Sequence, residues 1–258
     1  MTFKRLAIAF SIAVFLLYAG LILSIFYFCK GNLFLATLLS ARTLFSIKLS
    51  LFTATVVTVM SVFFAIPSAY ALSRYKFFGR QIIDTTLELP MIVSPVALGA
   101  LILIFFNTPV GGLFQEGGVR IVFTVYGILL AQFVTTVGIA TRLIKAAMDE
   151  IPQQYEQVAK TLGASPLKAF FTVVLPLSKR GIIASGVLTW AKALGEFGAT
   201  ITVAGSMALK TETLPIAIFM RLANADIEGT AVLVLIIIGL GLGTLYGVKF
   251  FAGKRTYV

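Results

Sequence analysis

Histidine is absent from this chain, and cysteine occurs once, at Cys29. Zinc and iron centres are built from His or from several Cys, so no resident metal site is expected. A single Cys also excludes an internal disulfide. Charge is scarce: 12% of the 258 residues, against roughly 25% in soluble domains. Acidic residues are the scarcest class, 10 against 21 Lys and Arg, which leaves a net charge of +11. No G-x-x-x-x-G-K-[ST] phosphate loop occurs, which removes the commonest device for holding ATP.

What the chain has instead is apolar surface. Hydrophobic residues make up 59% of it, and the mean hydropathy is +1.01. A soluble core of this size cannot hide so much, but lipid can. About 20 apolar residues in a helix cross a 30 Å hydrocarbon layer. Lipid satisfies no backbone N–H or C=O, so each crossing is a helix or part of a closed barrel. The runs here are too long and unbroken for barrel strands. Six spans are predicted, at about 6–29, 43–73, 87–106, 121–141, 181–204 and 229–248. The expected fold class is therefore all-α integral membrane, a single transmembrane domain over 1–258. The first run follows Lys4 and Arg5 like a signal peptide. It is longer than a usual apolar core and lacks a small-x-small cleavage site, so it reads as an anchor.

A basic excess is also a mark of nucleic-acid binding. In so apolar a chain it reads as the positive-inside bias, and no nucleic-acid partner is expected. With the first residues in the cytoplasm, most Lys and Arg fall on the inner side, among them Arg74, Lys76, Arg80, Arg142, Lys179 and Arg180. Both termini are then cytoplasmic, in a multi-pass cell-membrane protein. Six bases remain outside: Lys30, Arg42, Lys48, Arg120, Lys210 and Arg221. They suit attraction of an anion, docking of an acidic protein face, or anchoring to lipid headgroups. Residues 107–120 carry Pro109, Gly111, Gly112, Gly117 and Gly118 and read as an external loop. Thr213-Leu214-Pro215-Ile216 suggests a second external stretch turning back toward the membrane.

The longest inner connection, 142–180, carries its own helix signals. Asp149-Glu150-Ile151-Pro152 suits the first turn of a helix, with acids and Pro leading. Gly163 suits a C-terminal cap, and Ser165-Pro166 restarts a helix that is expected to run to Leu175-Pro176. Two short helices at a Gly turn make a rigid knuckle, which transmits force as a flexible linker cannot.

This stretch resembles the cytoplasmic loop of ATP-binding-cassette importer permeases: Glu-Ala-Ala, three residues, Gly, nine residues, Ile-x-Leu-Pro. Aligned on Gly163, the chain presents Gln157, Val158, Ala159, Val173, Leu175 and Pro176, and it departs at Gln157, Val158 and Val173, with Glu156 one place early. Trp190 to Thr200 (WAKALGEFGAT) narrows the resemblance to permeases for molybdate, tungstate and sulfate. The resemblance implies a type I importer permease fold and a second copy of the chain. It also implies two ATP-binding subunits, which hold the ATP and Mg, and an external oxyanion-binding protein. It further implies a docking surface on the ATPase at Glu156, Gln157, Ala159, Lys160, Thr161, Leu162, Gly163, Ala164, Ser165 and Pro166. The cargo it favours is molybdate or tungstate, with sulfate as the alternative, and the chain itself is then no enzyme and carries no cofactor.

Charges inside spans are costly, so they face protein or water. Lys192 and Glu196 stand in the fifth span four residues apart, and Ser185, Thr189 and Thr200 extend the same stripe. The stripe reads either as a substrate pathway or as an internal ion pair locking neighbours. Ser46, Ser50 and Thr53, with Thr43, form a second seam. Its hydroxyls suit donation to a passing oxyanion, or bonds to the carbonyl four residues back. Two other functions stand beside the importer: an ion-gradient transporter using Lys192 and Glu196 as a relay, and a membrane scaffold that carries nothing.

Overall fold

The computed structural model describes residues 2–28, 31–116 and 120–251, all helices and turns. Cys29, Lys30, Gly117, Gly118, Lys254 and Arg255 lie outside them. Five helices are long and apolar enough to cross a membrane, or six if a sharply bent pair counts as one span.

Helix α1 (Thr2–Phe26) is apolar after Lys4 and Arg5 and lies almost wholly exposed, touching the last helix. Its hydrophobicity has no preferred side, which suits lipid on every face. Helix α2 (Gly31–Leu38) leads to α3 (Ala41–Arg74), whose 34 residues extend about 50 Å, well beyond one apolar layer. Ser40 caps α3 by accepting from the Thr43 N–H. Helices α3, α8 (Val125–Asp149) and α11 (Leu175–Leu194) form the centre. Ala54, Ser61, Ala65 and Ala69 of α3 are fully buried, and the Ser61 and Thr136 hydroxyls bond across at 3.0 Å. Small residues let helices without a hydrophobic driving force approach closely enough to gain dispersion contacts.

Two predicted spans are broken. The 87–106 segment is no straight helix: α4 (Arg80–Thr86) and α5 (Leu89–Ile92) meet α6 (Pro95–Phe106) at a bend of 116°. Pro95 forces the extended backbone seen at Ser94, ψ 146°, and Ser94 caps α6 through the Ala97 N–H. The 181–204 segment stops at Leu194 and restarts as α12 (Gly198–Ala204), which packs on α6 and α8. The two breaks meet, since a Cβ on Gly198 would lie 3.0 Å from Pro95 and Val96 atoms.

Other boundaries shift. The fourth span begins at Val125 and continues to Asp149, so Asp149-Pro152 ends a helix rather than opening one. The helix begun at Pro166 does not stop at Leu175-Pro176. Helix α10 (Pro166–Ala169) passes through a π-helical turn, Phe170–Val174, straight into α11. Pro176 has no N–H to return to the preceding turn, and the wider π turn takes up that change of register. The supposed loop at 107–120 contains α7 (Pro109–Glu116), and Gly111 lies so close to the Phe105 carbonyl that no side chain fits. Helix α13 (Leu214–Ala223) then leads to α14 (Ile227–Phe251). It is short and carries buried Leu214 and Ile216, as a segment turning back into the bundle requires.

Candidate functional site: the knuckle and the polar seams

Between α8 and α10 lies α9 (Gln154–Thr161), closed by Gly163 at φ +85°. The Gly163 N–H donates to the Lys160 carbonyl at 3.0 Å and the Ala164 N–H to the Ala159 carbonyl at 3.0 Å. This double closure is a Schellman cap, and its left-handed residue is a glycine because any Cβ there is strained. Ser165 then caps α10 through the Lys168 N–H, with Pro166 in its first turn. The expected knuckle is present, joined at the expected residue.

Its two sides differ. Gln157, Lys160, Thr161, Leu162, Gly163, Ser165 and Pro166 are exposed, while Ala159 and Ala164 are half-buried. Tyr155, Val158 and Leu167 add an exposed apolar surface, and Leu162 is 83% exposed. Glu156, by contrast, does not belong to this surface. It is only 4% exposed and points inward, a correction to its expected place among the docking residues.

Glu156 accepts from the Tyr70 hydroxyl at 2.9 Å and from Arg74 Nε. Arg74 Nη2 also donates to the carbonyls of Met148 and Ile151, both at 2.9 Å, and Nη1 to the Ser73 hydroxyl at 3.3 Å. Ser73 in turn donates to Asp149. The Tyr70 ring lies 4.7 Å from that of Phe170 in the π turn. The last residue of α3 thus joins the end of α8 to α9. Sequence reading placed Arg74 only as a topogenic charge, because its partner lies 82 residues away.

The two seams are buried rather than open. Ser46 donates to the Arg42 carbonyl and Thr53 to the Ser50 carbonyl, which is the local bonding that hydroxyls in helices commonly find. Ser50 accepts from the Leu214 N–H at 2.7 Å and so ties α13 to α3. Ser185 donates to Gly181 and Thr189 to Ser185. None of these five hydroxyls is more than 4% exposed, so no open pathway surface forms from them in this conformation. The Ser185 stripe also ends at Gly195. Beyond the break, Thr200 sits in α12, and its hydroxyl is buried without a hydrogen-bond partner.

Lys192 and Glu196 are brought together, Nζ to Oε2 at 2.8 Å. Glu196 is buried, and its Oε1 also accepts from the Ala199 N–H at 3.2 Å, which braces the start of α12 across the break. The Lys192 side chain remains 39% exposed. At the opposite end of α3, Arg42 forms a two-pronged bond with Glu212, each contact 2.7 Å. Arg221 pairs with Asp226 at 2.7 Å, so among the described residues both Arg42 and Arg221, two of the bases expected outside, are paired within the chain.

Residues 58–254 match the family described as binding-protein-dependent transport system inner membrane components. The chain belongs to that family. It is the permease of an ABC importer, with helices arranged in the type I fold. Among similar proteins, the molybdenum transport system permease protein ModB of Haemophilus influenzae is 38% identical over 205 residues. That match covers 78% of this chain and 89% of the relative. The sulfate transport system permease protein CysW of Synechocystis is 30% identical over 263 residues, 99% of this chain and 95% of that one. A bacterial ABC transporter importing the acidic polysaccharide alginate shares the fold with a TM-score of 0.68, at 18% identity, covering 94% of this permease and 96% of that chain. The match fits a permease that works with a binding protein and ATPase subunits.

Proposed function

We propose that two copies of this permease form the pore of a molybdate or tungstate importer, driven by two ATP-binding subunits that hold the ATP and Mg. In this reading the Gly163 end is cytoplasmic, as are both termini, and the Arg42 end faces the oxyanion-binding protein. The exposed face of the knuckle, from Tyr155 to Leu167, seats in the ATPase. The permease makes and breaks no covalent bond.

The observation that carries the anion reading is Lys192. An ammonium inside a membrane-spanning helix that is 39% exposed in the single chain cannot be turned to lipid without a penalty of about 3 kcal/mol. Its open side therefore faces a water-filled conduit or the partner copy, both of which lie along the pore axis. Glu196 holds one side of the ammonium, so an oxyanion meets a partly neutralised cation. Such contact is weak enough to release, as conduction requires. Ser185 and Thr189, buried on the same helix, act behind this surface rather than on it.

The higher identity to a molybdenum permease supports reading molybdate, and with it tungstate, ahead of sulfate. Sulfate is the second reading, favoured by the match to CysW along nearly the whole chain. Uptake into vesicles containing the complete complex decides between them. Labelled molybdate is expected to be displaced by tungstate and not by equal sulfate, and displacement by sulfate alone would reverse the order. Uptake of a neutral or cationic solute, with none of the three carried, would remove the oxyanion reading altogether. Gly163→Pro tests the docking face. Proline cannot adopt φ +85°, so the knuckle deforms. The complex is expected to reach the membrane but to lose hydrolysis stimulated by loaded binding protein; unchanged stimulation refutes the role.

A further inference from the structure

Turns bound α9 on both sides: residues 150–153 before it, with Pro152, and Gly163 after it. Held by its turns alone, α9 would swing under load, and a push on its outer face would be spent in bending them. Its inner face is held differently. Arg74 reaches acceptors along the chain: the Glu156 carboxylate of α9, the carbonyls of Met148 in α8 and of Ile151 in the turn after it, and the Ser73 hydroxyl of its own α3.

We infer that Arg74 is a positioning residue that makes α9 one rigid body with the ends of α3 and α8, so that displacement of the knuckle is delivered to those two helices. This rests on the docking reading above. The side chains of Arg74 and Glu156 are 6% and 5% exposed. Water does not compete for either partner, and parting them strands a charge, so the link stays closed under load. The planar fork of Arg fits this set of acceptors, whereas a Lys ammonium is a single point on a flexible stem. The route to α11 is of another kind. It runs through α10 and the π turn, where the Leu175 N–H bonds back to the Phe170 carbonyl, five residues away. A wide turn of this type is a natural place for a helix to yield. Load on the knuckle is therefore delivered to α3 and α8 together.

The test is the number of anions moved per ATP hydrolysed by the whole complex in vesicles, compared among wild type, Arg74→Lys and Glu156→Gln. A role confined to stability lowers the amount of complex and leaves this ratio alone. The clamp predicts a ratio lowered about fivefold or more in Arg74→Lys, the scale of a lost coupling between sites. Arg74→Lys keeps the charge and loses the fork. Glu156→Gln keeps the shape and weakens the bond, and its ratio is expected to fall less. If Arg74→Lys does not assemble, Glu156→Gln decides alone. Wild-type ratios in the assembled variants overturn the clamp and leave the importer standing. A wild-type complex that hydrolyses ATP yet moves none of the three anions overturns the importer reading and the clamp with it.

Discussion

Helix α3 is fastened at both ends by an arginine and a glutamate from a distant part of the chain, and the two fastenings are built to different standards. At one end Arg42 grips Glu212 through two 2.7 Å contacts; the carboxylate is fully buried but the guanidinium side chain is 50% exposed. At the other, Arg74 and Glu156 are both almost fully buried, with backbone carbonyls filling the rest of the arginine fork. Water reaches one partner of the first pair and neither of the second. The first is a fastening that solvent can help to open, and the second is shielded from it. In the importer proposed above, the solvent-accessible tie lies at the end that meets the binding protein and the shielded tie at the end that meets the ATPase.

Removing Arg74 should show the largest effect. Arg74→Ala leaves the Glu156 charge buried with only the Tyr70 hydroxyl beside it and takes the donor from the Ile151 carbonyl, at a cost of about 3–5 kcal/mol. A fall in the detergent-unfolding midpoint is the measurement, and loss of less than the Arg42 variant would break the comparison. Arg42→Ala should cost less, about 1–2 kcal/mol, because the vacated site opens to water that can solvate Glu212. Ionic strength sharpens the contrast. Added salt is expected to narrow the gap between wild type and Arg42→Ala and to leave that for Arg74→Ala unchanged, since screening acts on the exposed pair.

The unequal ends of α3 also show what can be read from sequence. Long helices are legible because crossing lipid demands long apolar runs. The turn at Gly163 is legible because its signals, a glycine followed by Ser165-Pro166, are local. The breaks at Ser94 and Gly195 were not; Pro95 and Gly195 marked them, but a Pro or Gly in a membrane helix is as often packing as a break. The inward turn of Glu156 was illegible for a different reason. A carboxylate on a short surface helix points outward by default, and only the approach of Arg74 from another span reverses that. The hydroxyl seam of α3 was legible as a buried stripe, but its two open readings were divided residue by residue in a way that spacing alone does not show.

That division yields the smallest predicted effects. Ser50 and Ser46 lie one turn apart on α3, both fully or nearly fully buried, and appear equivalent in sequence. Ser50 is the acceptor for the Leu214 N–H, at the start of α13 where no preceding helical carbonyl can take that hydrogen. Ser50→Ala therefore leaves a buried donor unsatisfied and is expected to cost about 1–2 kcal/mol. Ser46 only donates to the Arg42 carbonyl of its own helix. Its removal strands no donor, and the carbonyl has a second bond within the helix to fall back on. Ser46→Ala should lie within about 0.5 kcal/mol of wild type. If the seam lined the conduit in the resting state, uptake would fall in both variants with little change in stability. Stability lost in Ser50→Ala alone, with anion uptake by Ser46→Ala unchanged, is the result expected of a seam that ties α13 to α3. That tie lies just past Glu212, so a loosened Ser50 should also weaken the Arg42 fastening and leave the Arg74 end untouched.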